Sequence, residues 1–133
     1  MTFIVKPNRI SYGYNGTQKE ILKHFNISFH RMSKYILNSE YDIVFLNPIS
    51  NNWKNRLCKD TLWEFNIDDN LLDTRGRIKK RITFLKSSTY GTYSFIGVFM
   101  IDKDYDWKLD TYPTGKPMDP RLKYIRIAEE FTI

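Results

Sequence analysis

Six basic side chains, Arg75, Arg77, Lys79, Lys80, Arg81 and Lys86, fall within twelve residues that hold no acid. Cations gathered in this way neutralise phosphates and release counterions, the sequence-independent part of nucleic-acid binding. Within the run, Lys79, Arg81 and Thr83 alternate with Ile78, Ile82 and Phe84. The period of two predicts a half-buried strand with one basic face. Tyr90 and Tyr93 stand close enough in sequence to stack bases beside that face. A solvated edge strand guarded by lysines has the same pattern, and both readings stay open. The opposite charge lies elsewhere, in Asp102, Asp104, Asp106 and Asp110. That acidic run lacks the glycine and terminal glutamate of a calcium loop.

Catalytic chemistry finds little footing. His24 and His30 are six positions apart, and the one cysteine, Cys58, has no neighbour that would activate it, so neither a Cys-His pair nor a metal site follows. Asp42, Asp60, Glu64, Asp68 and Asp69, taken with Lys79 or Lys80, match no tight spacing of a metal-dependent nuclease. The expectation is a protein that is not an enzyme and uses no metal and no cofactor.

A second segment carries binding chemistry. Thr17 can cap a helix, and Glu20 stands at the capping-box position three residues on. Ile21, Leu22, Phe25, Ile27, Met32, Tyr35 and Ile36 then recur at helical intervals broken once near Asn26, which predicts two short helices over 17–25 and 28–38. Residues 17–36 resemble a helix-turn-helix, with Asn26 where that motif usually has glycine. The resemblance implies that Ser28, Phe29, His30, Arg31, Ser33 and Lys34 face the major groove, with Gln18 and Lys19 near phosphates. A plain helical hairpin packed on a sheet is the other reading.

The elements that must position these residues follow from the rest of the chain. Residues 2–6 suggest an opening strand stopped by Pro7, and residues 42–47 a strand stopped by Pro48. The segment 53–72 is ambiguous. Residues 93–101 are apolar on both faces, as a central strand is, with Gly97 marking a bulge or a close backbone approach. A last strand is expected over 122–127. The fold class predicted is α+β: a small, mostly antiparallel sheet or partial barrel with an N-terminal helical hairpin. One domain is expected over 1–133, the hairpin at 17–38 and the β-rich part at 42–133.

Within 78–128, Thr83 to Lys86, Tyr93 to Phe99 and Arg121 to Ile127 are similar to small β-barrel reader domains of the PUA or SRA kind. That likeness implies a domain that holds nucleic acid or a flipped base. The net charge of +6 suits a polyanionic partner. The lone cysteine suggests a reducing, cytoplasmic setting, and no apolar stretch reaches the roughly 18 residues of a membrane span. The predicted function is therefore a small basic nucleic-acid-binding protein whose partner is duplex DNA. The rival is a compact interaction protein, such as an inhibitor encoded by a phage or other mobile element, which docks on a protein or a small anionic ligand through Trp53, Trp63 or Trp107.

Overall fold

The structure is a computed structural model that describes residues 9–47, 55–65, 79–87, 91–105 and 120–133. Along the chain run β1 (Arg9–Ser11), β2 (Asn15–Thr17), α1 (Gln18–His24), β3 (Lys34–Ile36), β4 (Tyr41–Leu46), β5 (Asn55–Cys58), β6 (Thr61–Phe65), β7 (Lys80–Lys86), β8 (Thr92–Ile101), β9 (Pro120–Ala128) and β10 (Glu130–Thr132). The main sheet has the order β3-β4-β7-β8-β9-β6-β5, with β2 beside the start of β8, while β1 and β10 pair separately. The β4/β7 pairing is parallel and the others are antiparallel. A parallel neighbour needs a long crossover. Here the intervening chain forms the β5/β6 hairpin, which joins the sheet through β9 on the far side of β8.

The architecture corrects the α+β expectation: the chain is β-rich with one helix among the described residues and no N-terminal helical hairpin. The first predicted helix forms as the sequence requires. Thr17 caps α1, its hydroxyl accepting from the Glu20 N–H, and Glu20 reaches back to the Thr17 N–H. Asn26 then takes a left-handed conformation, φ 57, and turns the chain out of the helix. Residues 28–38 do not continue as a second helix. The helical spacing of Met32, Tyr35 and Ile36 is misleading, because Tyr35 alone is buried while Met32 is 45% and Ile36 72% exposed. Lys34, Tyr35 and Ile36 alternate exposed, buried, exposed and pair with Val44, Ile43 and Asp42 of β4. A helix this short is marginal without tertiary contacts, so pairing with a finished strand prevails.

The central strands bury both faces. Ile43 and Phe45 of β4, Ile82 and Phe84 of β7, and Phe95 and Val98 of β8 meet Ile21, Leu22 and Phe25 of α1 in one core. Phe45 stacks on Phe84 at 5.3 Å between ring centroids, and Phe84 lies 5.4 Å from Phe95. On the opposite face Val44, Leu46, Ile96, Phe99 and Ile101 meet Leu62 of β6 and Tyr124 of β9. The bulge foreseen at Gly97 is present. Thr83 opposes Gly97 and Phe84 opposes Phe95, so Ile96 is the extra residue. Gly97 has φ +129, and a Cβ there would stand 2.8 Å from the Ala128 carbonyl oxygen. Arg126 staples the bend, donating from Nε to the Ile96 carbonyl at 2.9 Å and from Nη1 to Asp60 at 2.7 Å. The expected opening strand at 2–6 lies outside the described residues.

Candidate nucleic-acid interface

Between α1 and β3 the chain makes a loop with a fixed shape. The hydroxyl of buried Tyr35 accepts from the backbone N–H groups of both His30 and Met32, each at 3.1 Å. Arg31, between them, takes φ 55, and the Ser33 carbonyl accepts from the Phe45 N–H at 2.7 Å. These bonds turn the backbone donors of the loop inward and leave its side chains outside. Ser28, Phe29, His30, Arg31, Met32, Ser33 and Lys34 are all exposed. No acid stands anywhere from residue 21 to residue 39, while Lys23, His24, His30, Arg31 and Lys34 do. Arg31 and His30 make no ion pair among the described residues. The helix-turn-helix reading expected these residues on a recognition helix; they are exposed, but on a loop and an edge strand.

The basic strand behaves differently. Its register is the one predicted, with Ile82 and Phe84 on one face, but β7 lies between β4 and β8 and its other face is covered as well. Thr83 is fully buried, and Arg81 pairs with Glu64 at 2.8 Å, the two side chains only 17% and 15% exposed. The Arg81 guanidinium lies 4.2 Å from the Tyr124 ring centroid, and the Tyr124 hydroxyl donates to the second Glu64 oxygen at 3.3 Å. Burial alone would lower the pKa of Arg81, but Glu64 and the neighbouring Tyr124 and Asp42 outweigh it and hold the group above its ordinary value. Burial, with Glu64 acting in the same direction, raises Tyr124 well above the usual tyrosine range against the opposing pull of Arg81.

Asp42 joins the two basic segments. Its side chain is almost wholly buried, with one oxygen bonded to Lys79 and the other 3.5 Å from Lys34. Lys34, on the edge strand beside the loop, thus shares a carboxylate with Lys79, at the head of β7. The other predicted residues are more scattered. Gln18 is half-buried on α1 and donates a long 3.5 Å bond to the Tyr93 hydroxyl, its own carbonyl oxygen having no partner among the described residues. Lys19 is exposed on the same helix. Arg75 and Arg77 lie outside the described residues, as do Tyr90, Trp53 and Trp107. Trp63 is half-buried, edge-on to Tyr105 at 5.4 Å with Lys123 over its ring. Of the acidic run, Asp102 is 3.5 Å from Lys123.

Sequence reasoning considered Asp42, Glu64 and Lys79 together only as a nuclease-like set, and missed that they form ion pairs and hydrogen bonds with Lys34, Arg81 and Tyr124. Asp42 and Glu64 carried a weak signal, an acid inside an apolar strand and an acid opposite a cation. Among the described residues no helix is long and apolar enough to cross a membrane, and no group of His, Cys, Asp and Glu is arranged to hold a metal.

No family model matches the chain, and no curated protein does. Among solved structures, the fold is similar to part of the 5-hydroxymethylcytosine-specific restriction enzyme AbaSI, with a TM-score of 0.64 and 18% identity over 94% of this chain. The chain spans 42% of that enzyme. The likeness is one of fold alone, and the described residues form no helix-turn-helix.

Proposed function

We propose that the chain is a non-catalytic duplex-DNA-binding module, a β-rich scaffold that presents the loop 26–33 and Lys34 to the nucleic acid. The observation that carries the reading is the loop itself, an acid-free, cationic segment held in one conformation by the Tyr35 hydroxyl. Preorganised backbone lowers the ordering cost of binding. Arg31 and His30 meet phosphate or base edges, Ser28 and Ser33 supply hydroxyls, and Lys34 with Lys79 extends the positive surface along the edge of the sheet. Arg75 and Arg77, four and two positions before Lys79 in the chain, add further cations for phosphate. Arg81 is matched by Glu64 and contributes to the scaffold of the sheet. The likeness to a restriction enzyme named for a modified cytosine is consistent with a nucleic-acid partner.

The test is binding of purified protein to mixed-sequence duplex at about 50 and 200 mM salt, where a protein neutralising several phosphates loses affinity steeply. Binding that weakens in this manner is expected; absence of binding at the lower salt would overturn the reading. One observation favours a second reading, docking on a protein: Tyr12, Ile125 and Ile127 are exposed at 57%, 39% and 48%. Under that reading, replacing Ile125 and Ile127 with serine abolishes function and Arg31→Ala leaves it intact.

A further inference from the structure

Phosphate contacts account for the cations of the loop but not for its two large apolar side chains. Phe29 is 40% and Met32 45% exposed, although Phe25 and Tyr35, close by in the chain, are buried in the core. They flank His30 and Arg31 in sequence, and the Tyr35 hydroxyl fixes the backbone at residues 30 and 32. The backbone is anchored at Met32 itself and at His30, next to Phe29, and a chain that needed only charge would gain from burying both apolar side chains. Apolar side chains borne on a rigid cationic loop suit one kind of surface on a polyanion, the unstacked face of a base step.

We infer that the loop is a wedge: Phe29 and Met32 enter between base pairs while Arg31 holds the flanking phosphates, so the protein kinks duplex DNA and prefers duplexes with an already weakened step. The inference rests on the proposed DNA-binding function and adds the class of target, a duplex with a local stacking defect. Unstacking costs free energy at a perfect step and much less at a mismatch, so the preference reports insertion directly. The basic surface alone, by contrast, binds both duplexes equally.

The experiment compares two end-labelled duplexes of one sequence, one perfect and one with a single central mismatch, measuring affinity and the change in end-to-end energy transfer. The whole chain is expected to bind the mismatched duplex about tenfold more tightly and to shorten its end-to-end distance. The variant carrying Phe29→Ala and Met32→Ala, both at exposed positions, is expected to bind the two duplexes equally and without bending, with the salt dependence of the parent. Tyr35→Phe keeps the buried ring but removes the acceptor that fixes the loop, and is expected to give an intermediate preference. Equal affinity of the parent for both duplexes, or a preference that survives in both variants, overturns the wedge while leaving the DNA-binding reading in place. Failure to bind either duplex overturns both.

Discussion

The loop 28–34 and the strand 79–86 are both basic in sequence, yet the fold uses their charges in opposite ways. Arg31 stands in solvent without an ion pair among the described residues, whereas Arg81 lies under a tyrosine ring and is matched by Glu64. Lys79 sits between these extremes, one-quarter exposed and bonded to Asp42. A cation matched one to one by a buried carboxylate, as Arg81 is by Glu64, adds little to an external field, whereas Lys34 and Lys79 share one carboxylate and keep a net positive charge. Cation density along a chain counts charges, while long-range pairing decides which of them a ligand can use.

The buried pair of the strand is the most sensitive to substitution. Arg81→Ala leaves Glu64 buried without its cation and is expected to cost about 3 kcal/mol of stability, read from denaturant unfolding. At temperatures where the variant stays folded, its salt dependence of DNA binding should match the parent. On the loop side, replacing Arg31 and Lys34 together with alanine should reduce the slope of log K against log salt by about 2. Stability should move by no more than about 1 kcal/mol in that variant, since the Lys34 partner of the Asp42 pair is exposed. A loss of stability as large as that of Arg81→Ala would erase the distinction between the segments.

A pH measurement sharpens the contrast. Burial holds the Tyr124 pKa above its ordinary value of 10.0, so the phenol stays protonated in the folded state at a pH where the unfolded chain ionises. Its contribution to stability is complete below pH 10.0 and is lost as pH rises through the raised value. The melting temperature should therefore fall more steeply above pH 10.0 for the parent than for Tyr124→Phe. The smallest effect is expected from Lys19→Ala on α1, a change in salt slope of at most about one with no change in melting temperature.

Local signals in the sequence were reliable where the cause is itself local. The Thr17–Glu20 capping box, the two-faced apolar run of β8 and the bulge at Gly97 each depend on residues within a few positions of one another, and each is present. The period-two register of β7 was legible for the same reason. The second helix was misread because Met32, Tyr35 and Ile36 match helical spacing, while the determinant is pairing of residues 34–36 with β4, which no local pattern reveals. The hairpin of β5 and β6 was hidden in an ambiguous segment. Its turn is carried by Lys59 at φ 53, a residue type with no turn signature. The exposure of the candidate loop was anticipated through a resemblance that does not hold. The partners of Arg81 and Lys79 were out of reach, Glu64 and Asp42 being 17 and 37 residues away along the chain.

On this reading the loop meets the nucleic acid, and neither the basic strand nor the exposed Tyr12, Ile125 and Ile127 do. The most direct test is to follow backbone amide resonances of the labelled protein while a mixed-sequence duplex is added at low salt. The largest shifts are expected at residues 28–34, with smaller ones at Lys79 and little change at Arg81, Thr83, Ile125 and Ile127. Shifts concentrated on β9 and Tyr12, with residues 28–34 unmoved, would contradict the reading.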